Sequence, residues 1–212
     1  MPEKDLHDVL STCLHSASTE ATRYYLQGVF VHASAGGNLA FVSTDGHRLS
    51  LFETKVKAPD NAPCNIIPSA AVRALLAALD PKSPAPCVVQ WSELHTVISG
   101  ASFRITTKNI DGSFPDYTRV IPHTTDAVTF NKAAVMKSAG RIVTLSSVKC
   151  PRVALDFEQG KIRSGDGKTH APLNFIGNTS LPSFDIDGSY LLDVAKHLPD
   201  GNIELHLGEP GQ

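Results

Sequence analysis

Apolar residues recur every three or four positions in four stretches of the chain, the spacing that puts side chains on one face of a helix. The first stretch, Asp5 to Ala17, aligns Leu6, Val9, Leu10, Cys13, Leu14 and Ala17. The second opens at Pro68-Ser69 and carries Val72, Leu75, Leu76 and Leu79. It is predicted to end at Asp80-Pro81, because proline lacks the amide donor that a helix interior needs. The third follows Asn131, a residue whose short side chain suits an N-cap, and runs to Leu145. The fourth lies within "GSYLLDVAKHLPDG", with Leu191, Val194, Ala195 and Leu198 inward and Pro199 as the stop.

Between these stretches the period falls to two, which predicts strands. "YYLQGVFVH" (24–32), "NLAFVS" (38–43) and "RLSLFETKV" (48–56) are separated by the turn signals Gly36-Gly37 and Asp45-Gly46. "CVVQW", "HTVISG" and "FRITTKN" follow the second helix. "RVALDFE", "KIRSG" and "LNFIG" follow the third, with turns at Gln159-Gly160 and Asp166-Gly167, and "NIELHLG" follows the fourth. The order is helix, strands, helix, strands, and then the same again, with the first and third helices about 126 residues apart in register. The apolar pattern breaks near "VIPHTTDAV" (120–128). An α+β chain of two similar domains is expected, 1–122 and 123–212, each with two helices packed on antiparallel sheets.

A length of 212 residues and 42% hydrophobic content fit such a pair of domains. Nineteen basic against 21 acidic residues give a net charge of −2, without the basic excess typical of a dedicated phosphate binder. The four cysteines, Cys13, Cys64, Cys87 and Cys150, are scattered and form no metal-ligand spacing, so they read as small buried thiols in a reducing compartment. The start, "MPEKDLHDVL", is charged and has no signal-peptide core, and "AAVRALLAAL" is too short to span a bilayer. A soluble, cytoplasmic protein is expected, without membrane association. No nucleophile elbow, zinc-protease, Walker or dinucleotide-binding pattern occurs, and neither a metal nor any other cofactor is implied. Asp45 and His47 share a tight turn. By spacing alone that turn is a hairpin first and a binding loop second.

Three stretches narrow this reading. "EATRYYLQGVFVH" (20–32), "STDGHRLSLFE" (43–53) and "NIDGSFPDYTRVIP" (109–122) resemble, in order and separation, the central domain of the bacterial DNA polymerase III beta subunit family, the sliding clamps. "GSYLLDVAKHL" (188–198) and the strand pattern around "RVALDFE" resemble the family's last domain more faintly. The resemblance implies a DNA-clamp fold, no catalysis, and a ring whose helices face DNA. It also implies a pocket between central and last domains that docks short extended peptides of DNA polymerases and repair proteins. Leu26, Thr44, Gly46, His47, Arg48, Leu49, Pro115, Arg119 and Val120 match family pocket positions, and Tyr190 matches one from the last domain. Leucine, proline and valine there would supply an apolar cavity, with Arg48, Arg119 and His47 as polar rim groups. Leu26 and Leu49 also fit as plain core residues. Arg23, Tyr24 and Tyr25 match a family patch beside DNA, although both tyrosines also fit as half-buried strand residues.

Two features qualify the expectation. This sequence has no counterpart of the family's first domain or of its final strands, which would leave a shallower pocket and a bare sheet edge. On the helix stretches, Lys4, Arg73, Lys132, Lys137, Arg141 and Lys196 face Glu3, Asp5, Asp8, Asp80, Asp187 and Asp193, six against six. Arg73, Lys132, Lys137, Arg141 and Lys196 are the helix candidates for DNA contact, and weak duplex binding is expected from so balanced a wall. Two functions follow: a clamp-like processivity factor of a bacterium, phage or plasmid, or a stand-alone interaction module that regulates replication without encircling DNA. A monomer and a ring-like trimer are the oligomeric states open to it.

Overall fold

The computed structural model describes residues 1–60, 62, 64–122 and 127–208. It divides into two compact units, Met1–Pro115 and Asp116–Gln212.

In the first unit, helix α1 (Glu3–Leu14) is followed by a 3-10 segment (Ala21–Leu26), strands β1 (Gly28–Ala33), β2 (Asn38–Thr44), β3 (Leu49–Lys57) and β4 (Asn65–Pro68), helix α2 (Ser69–Ala78), and strands β5 (Val88–Trp91), β6 (His95–Ser99) and β7 (Arg104–Lys108). The strands form two antiparallel sheets, β3-β2-β1-β4 and β5-β6-β7. Leu6, Val9, Leu10 and Cys13 of α1 and Val72 and Leu75 of α2 bury their stripes against Val29 and Val31 of β1 and Phe41 of β2. Alternation along β1 sends Phe30 and His32 to the opposite face of the sheet.

The second unit repeats the plan. A short 3-10 turn (Tyr117–Val120) precedes β8 (Ala127–Asn131), α3 (Lys132–Leu145), β9 (Arg152–Asp156), β10 (Lys161–Ser164), β11 (His170–Pro172), β12 (Phe175–Gly177), β13 (Phe184–Asp187), α4 (Gly188–His197) and β14 (Asn202–His206). Its sheets are β11-β10-β9-β13 and β12-β8-β14, antiparallel throughout. Val135, Ala139 and Ile142 of α3 and Leu191 and Ala195 of α4 pack on Val153, Leu155, Ile162 and Phe130. The two four-stranded sheets have the same order, reading third, second, first and then the strand that leads into the second helix.

Helix ends follow local chemistry. Asn131 caps α3 through a bond from the Ala134 amide to its Oδ1 (3.2 Å), and Asp187 caps α4 by accepting from the Ser189 amide (2.8 Å). Several expectations change. The strand expected from Tyr24 begins only at Gly28, because Ala21–Leu26 winds as a 3-10 segment, so Tyr24 and Tyr25 are not strand residues. Gly28 is where the chain can enter the sheet: a Cβ there would lie 2.4 Å from the Ile67 carbonyl oxygen on β4. Helix α1 stops at Leu14, ahead of the expected Ala17. Strands β4, β8, β11 and β13 are three to five residues long, too short to show a period, and were not anticipated. Cys13 and Cys87 are buried as expected, but Cys64 and Cys150 are exposed, since both sit in connections outside the packed elements. His123–Asp126, inside the stretch read as the seam, lie outside the described residues.

Candidate functional site

The β2–β3 hairpin carries the "TDGHR" turn, and Asp45 organises it. Its Oδ1 accepts the backbone amides of His47 (2.9 Å) and Arg48 (3.0 Å), while Oδ2 accepts from Arg48 Nε (3.1 Å). Burial alone would push this carboxyl up. The two amide bonds and the Arg48 guanidinium outweigh it and hold Asp45 below its ordinary value. Thr44 Oγ1 donates to the Arg48 carbonyl (2.7 Å) and accepts the Gly46 amide (3.0 Å), closing the loop from inside. Gly46 takes φ +91°, a conformation that favours glycine. His47 is left exposed at the tip, and Leu49, paired with Thr44, is half-buried.

The end of α1 anchors this turn. Arg48 Nη2 donates to the His15 carbonyl (2.8 Å), Ser16 and Ser50 share a hydroxyl bond (2.7 Å), and the Ser43 hydroxyl donates to the Cys13 carbonyl. From the other side, Arg23 Nη1 donates to the Asp45 carbonyl (3.2 Å) while its Nε meets Glu20 Oε2 (3.1 Å).

The same 3-10 segment that carries Arg23 also seats the stretch leading to Pro115. A Cβ on Gly112 would lie 2.9 Å from Tyr25 Cβ and 3.4 Å from the Tyr24 ring, so backbone and rings are in close approach there. The Ile110 amide donates to the Ile66 carbonyl (2.9 Å). Phe114 then stacks on Phe30 of β1, with centroids 4.8 Å apart and planes 6° apart, and Pro115 follows it, exposed. Ala21–Leu26 therefore touches both the Asp45–Gly46 turn and the 110–115 stretch.

The structure sorts the expected residues. Thr44, Gly46, His47, Arg48 and Leu49 share the hairpin, with Pro115 on the stretch held by the 3-10 segment. Leu26, at the end of the 3-10 segment, is 4% exposed. Arg48, expected as a polar rim group, is bound to Asp45 and His15 with a side chain only 20% exposed, so it shapes the turn. In the second unit, Arg119 and Val120 lie exposed on the 3-10 turn begun by Asp116, and Tyr190 is half-buried on α4. Asp116 accepts from the Thr118 hydroxyl (2.6 Å) and amide (3.2 Å), and these bonds hold its carboxyl low.

The basic candidates divide likewise. Lys132 does not present a free charge. Its ammonium donates to the Leu198 (2.5 Å) and Lys196 (3.4 Å) carbonyls at the end of α4 and pairs with Asp200 (3.0 Å). Arg23 is tied to Glu20 and the Asp45 carbonyl as above. Tyr24 is 52% exposed and, with Arg73, Gln27, Ser18 and Thr19, lines a shallow cavity of about 400 Å³ at the start of α2. Lys137 and Arg141 lie one turn apart on the exposed face of α3, flanking Gly140, and Lys196 is exposed on α4. Asp80 falls outside α2 and Asp187 is the cap of α4, so the acids within the helices are Glu3, Asp5, Asp8 and Asp193, with Glu3 only 5% exposed. Among the described residues no group of three or more His, Cys, Asp or Glu side chains is placed to hold a metal, and no helix is long and apolar enough to cross a membrane. Sequence reasoning missed the Phe30–Phe114 stack and the partners of Arg23 and Lys132. Apart from Glu20, three positions from Arg23, those partners lie 22 to 84 positions away, and local pattern carries no signal for them.

A paired-helix unit on two antiparallel sheets, made twice in one chain, defines the class: an α+β DNA-clamp fold. The sequence model of the DNA polymerase III beta subunit central domain matches residues 1–116. The beta sliding clamp of Caulobacter vibrioides is 32% identical over 207 residues, 91% of this chain and 54% of the relative, and that of Vibrio cholerae is 26% identical, covering 99% and 58%. Among solved structures, a DnaN sliding clamp from Bartonella birtlesii bound to griselimycin superposes with a TM-score of 0.84 at 29% identity, over 98% of this chain and 58% of that one. The chain belongs to the DNA polymerase III beta subunit family, the bacterial sliding clamps. It spans about half the length of the curated relatives it matches.

Proposed function

We propose that the chain serves DNA replication as a non-catalytic, clamp-like processivity factor of the bacterial cytoplasm, or of a phage or plasmid within it. In this reading residues 1–122 act as a central-type clamp domain and 123–212 as a last-type domain. Short extended peptides of polymerases or repair proteins dock on the "TDGHRL" turn. One observation supports the reading: a single 3-10 segment touches both the Asp45–Gly46 turn and, at Gly112, the stretch that leads to Pro115. Half-buried Leu49 and exposed Pro115 offer apolar surface, and exposed His47 offers a ring nitrogen to a peptide carbonyl or acid. The relative from Bartonella birtlesii, solved with griselimycin, supports a ligand-docking role.

A fluorescent Q-L-x-L-F-type peptide is expected to bind in the micromolar range, as small interfaces do. Leu49→Ala is expected to weaken it. Absence of binding at high protein concentration removes the docking role.

The cation inventory favours a second reading, an interaction module that does not encircle DNA. Of the eight DNA candidates, Lys132 and Arg23 are already bound within the protein, which leaves Arg73, Lys137, Arg141 and Lys196 as charged groups for phosphate, beside Tyr24 and Tyr25. Duplex binding is expected to be weak and steeply salt-dependent. Tight binding at physiological salt favours the processivity reading, and light scattering separates a monomer from a ring-like trimer.

A further inference from the structure

Arg23 stands where sequence comparison puts a DNA-facing residue, yet its guanidinium points at the docking turn. Four observations on the first unit converge there. Nη1 donates to the Asp45 carbonyl (3.2 Å), and Nε is held by Glu20 Oε2 (3.1 Å), so the planar fork is fixed at both ends. The backbone at Arg23 departs from its 3-10 neighbours, with φ −109° and ψ 50°, so the segment kinks at the residue whose side chain reaches the turn. A Cβ on Gly46 would sit 2.7 Å from Nη1, so the space beneath Gly46 is filled by the guanidinium. Arg48 grips the Asp45 carboxylate from the other side, so two arginines bracket one residue, the first by its carbonyl and the second by its side chain.

We infer that Arg23 is a positioning residue of the peptide-docking turn: through the Asp45 carbonyl it fixes the Asp45–Gly46 peptide plane and thereby where His47 stands. This rests on the docking role proposed above. It assigns to Arg23 a task that needs fork geometry and not merely charge. A lysine keeps the charge but, as a single point donor, cannot hold the Glu20 carboxylate and the Asp45 carbonyl in one plane.

The test uses the full chain with Arg23→Ala and Arg23→Lys, checked for unchanged circular dichroism and for a cooperative melt well above the assay temperature. Three readouts are compared: affinity for the Q-L-x-L-F-type peptide, hydrogen exchange at the Gly46, His47 and Arg48 amides without peptide, and the salt dependence of duplex binding. R23A is expected to weaken peptide binding about three- to tenfold, as the loss of one partly exposed charge-assisted bond would, and to speed exchange across the turn. R23K is expected to remain as impaired as R23A. The slope of log affinity for DNA against log salt is expected to hold, whereas a lost phosphate contact would lower it by about 0.9. Wild-type affinity in R23A, full rescue by R23K, or unchanged exchange at the turn overturns the assignment. A wild-type chain that binds no peptide overturns the docking role itself, and the exchange result then decides separately whether Arg23 holds the turn.

Discussion

Gly46→Ala places a methyl group at a crowded point of the β2–β3 turn, and its cost can be separated into two parts. Gly46 has φ +91°, where an L-residue costs about 1–2 kcal/mol. The stiffer unfolded chain returns about 0.4–1 kcal/mol. Gly37, at φ +72° in the β1–β2 turn, makes the same backbone demand but has nothing within 4 Å of its would-be Cβ. Gly37→Ala therefore measures the backbone part alone, about 0.5–1 kcal/mol net. At position 46 the new methyl also lies 2.7 Å from Arg23 Nη1, so the guanidinium must swing away and lose its 3.2 Å bond to the Asp45 carbonyl. That adds about 0.5–1.5 kcal/mol, toward the lower end because the arginine is 41% exposed. Urea unfolding followed by Trp91, the sole tryptophan and a residue packed on the first unit's core, reads both variants where they act. The midpoint should fall further for G46A than for G37A at unchanged m-value. In an Arg23→Ala background the difference should vanish, giving a coupling of about 0.5–1.5 kcal/mol. Equal costs at the two glycines, or the same G46A cost with and without Arg23, would refute the claim that the guanidinium fills this space.

Thiol chemistry should follow burial: iodoacetamide is expected to label exposed Cys64 and Cys150 in the native chain and to spare Cys87, raised by burial and by Glu3, and Cys13, pushed up to about 12 by burial. Because Asp45 is held below its ordinary value, the stability it carries is complete above the usual carboxylate pKa of about 3.9 and lost as pH falls through the lowered native value. The stability gap between wild type and Asp45→Asn should be flat from about pH 5 to 8 and close in strong acid; a gap that closes near neutrality contradicts the assignment. Lys132→Ala should free the Leu198 and Lys196 carbonyls, costing about 1 kcal/mol and raising exchange at the end of α4, with no change in DNA salt slope. Lys137→Ala and Arg141→Ala should each lower that slope by about 0.9 without moving stability.

The long elements were legible because they bury one face. All four helices show the 3.6-residue period at positions the structure buries, such as Leu6, Val9, Leu10 and Cys13 on α1 and Val135, Ala139 and Ile142 on α3. The β2–β3 hairpin announced itself through Asp45-Gly46, whose chemistry matches a tight turn. What failed was short or non-local. Strand β4 has four residues and ends in proline, and β11 has three, so neither offers a period to count. "RYYLQGVFVH" looks like one strand since tyrosine, valine and phenylalanine favour sheets, but the Gly28 approach to Ile67 ends the sheet there and leaves Tyr24 and Tyr25 on a 3-10 segment. Motif resemblance singled out the Thr44–Leu49 turn as a candidate site. It could not say that Arg48 faces inward to His15, because that partner is 33 positions away and only the fold brings it near.

The arginines and lysines expose how little a charge count says about phosphate binding. Three of the cations that pattern reading offered to a ligand, Arg23, Arg48 and Lys132, are held by protein acceptors: the Asp45 carbonyl, the Asp45 carboxylate with the His15 carbonyl, and the carbonyls ending α4. Each closes a place where the backbone would otherwise leave acceptors unmet, a turn for Arg23 and a helix terminus for Arg48 and Lys132. Recruiting any of them to DNA would reopen that place, so the attraction gained would be offset by an acceptor left without its donor. Among the described residues, Lys137 and Arg141 have no such acceptor. They stand one turn apart beside a glycine, on the helix that contains no acid, and could be neutralised by phosphate without cost to the fold. If this chain holds a duplex, α3 supplies most of the grip, and binding that survives loss of both side chains would place the contact elsewhere.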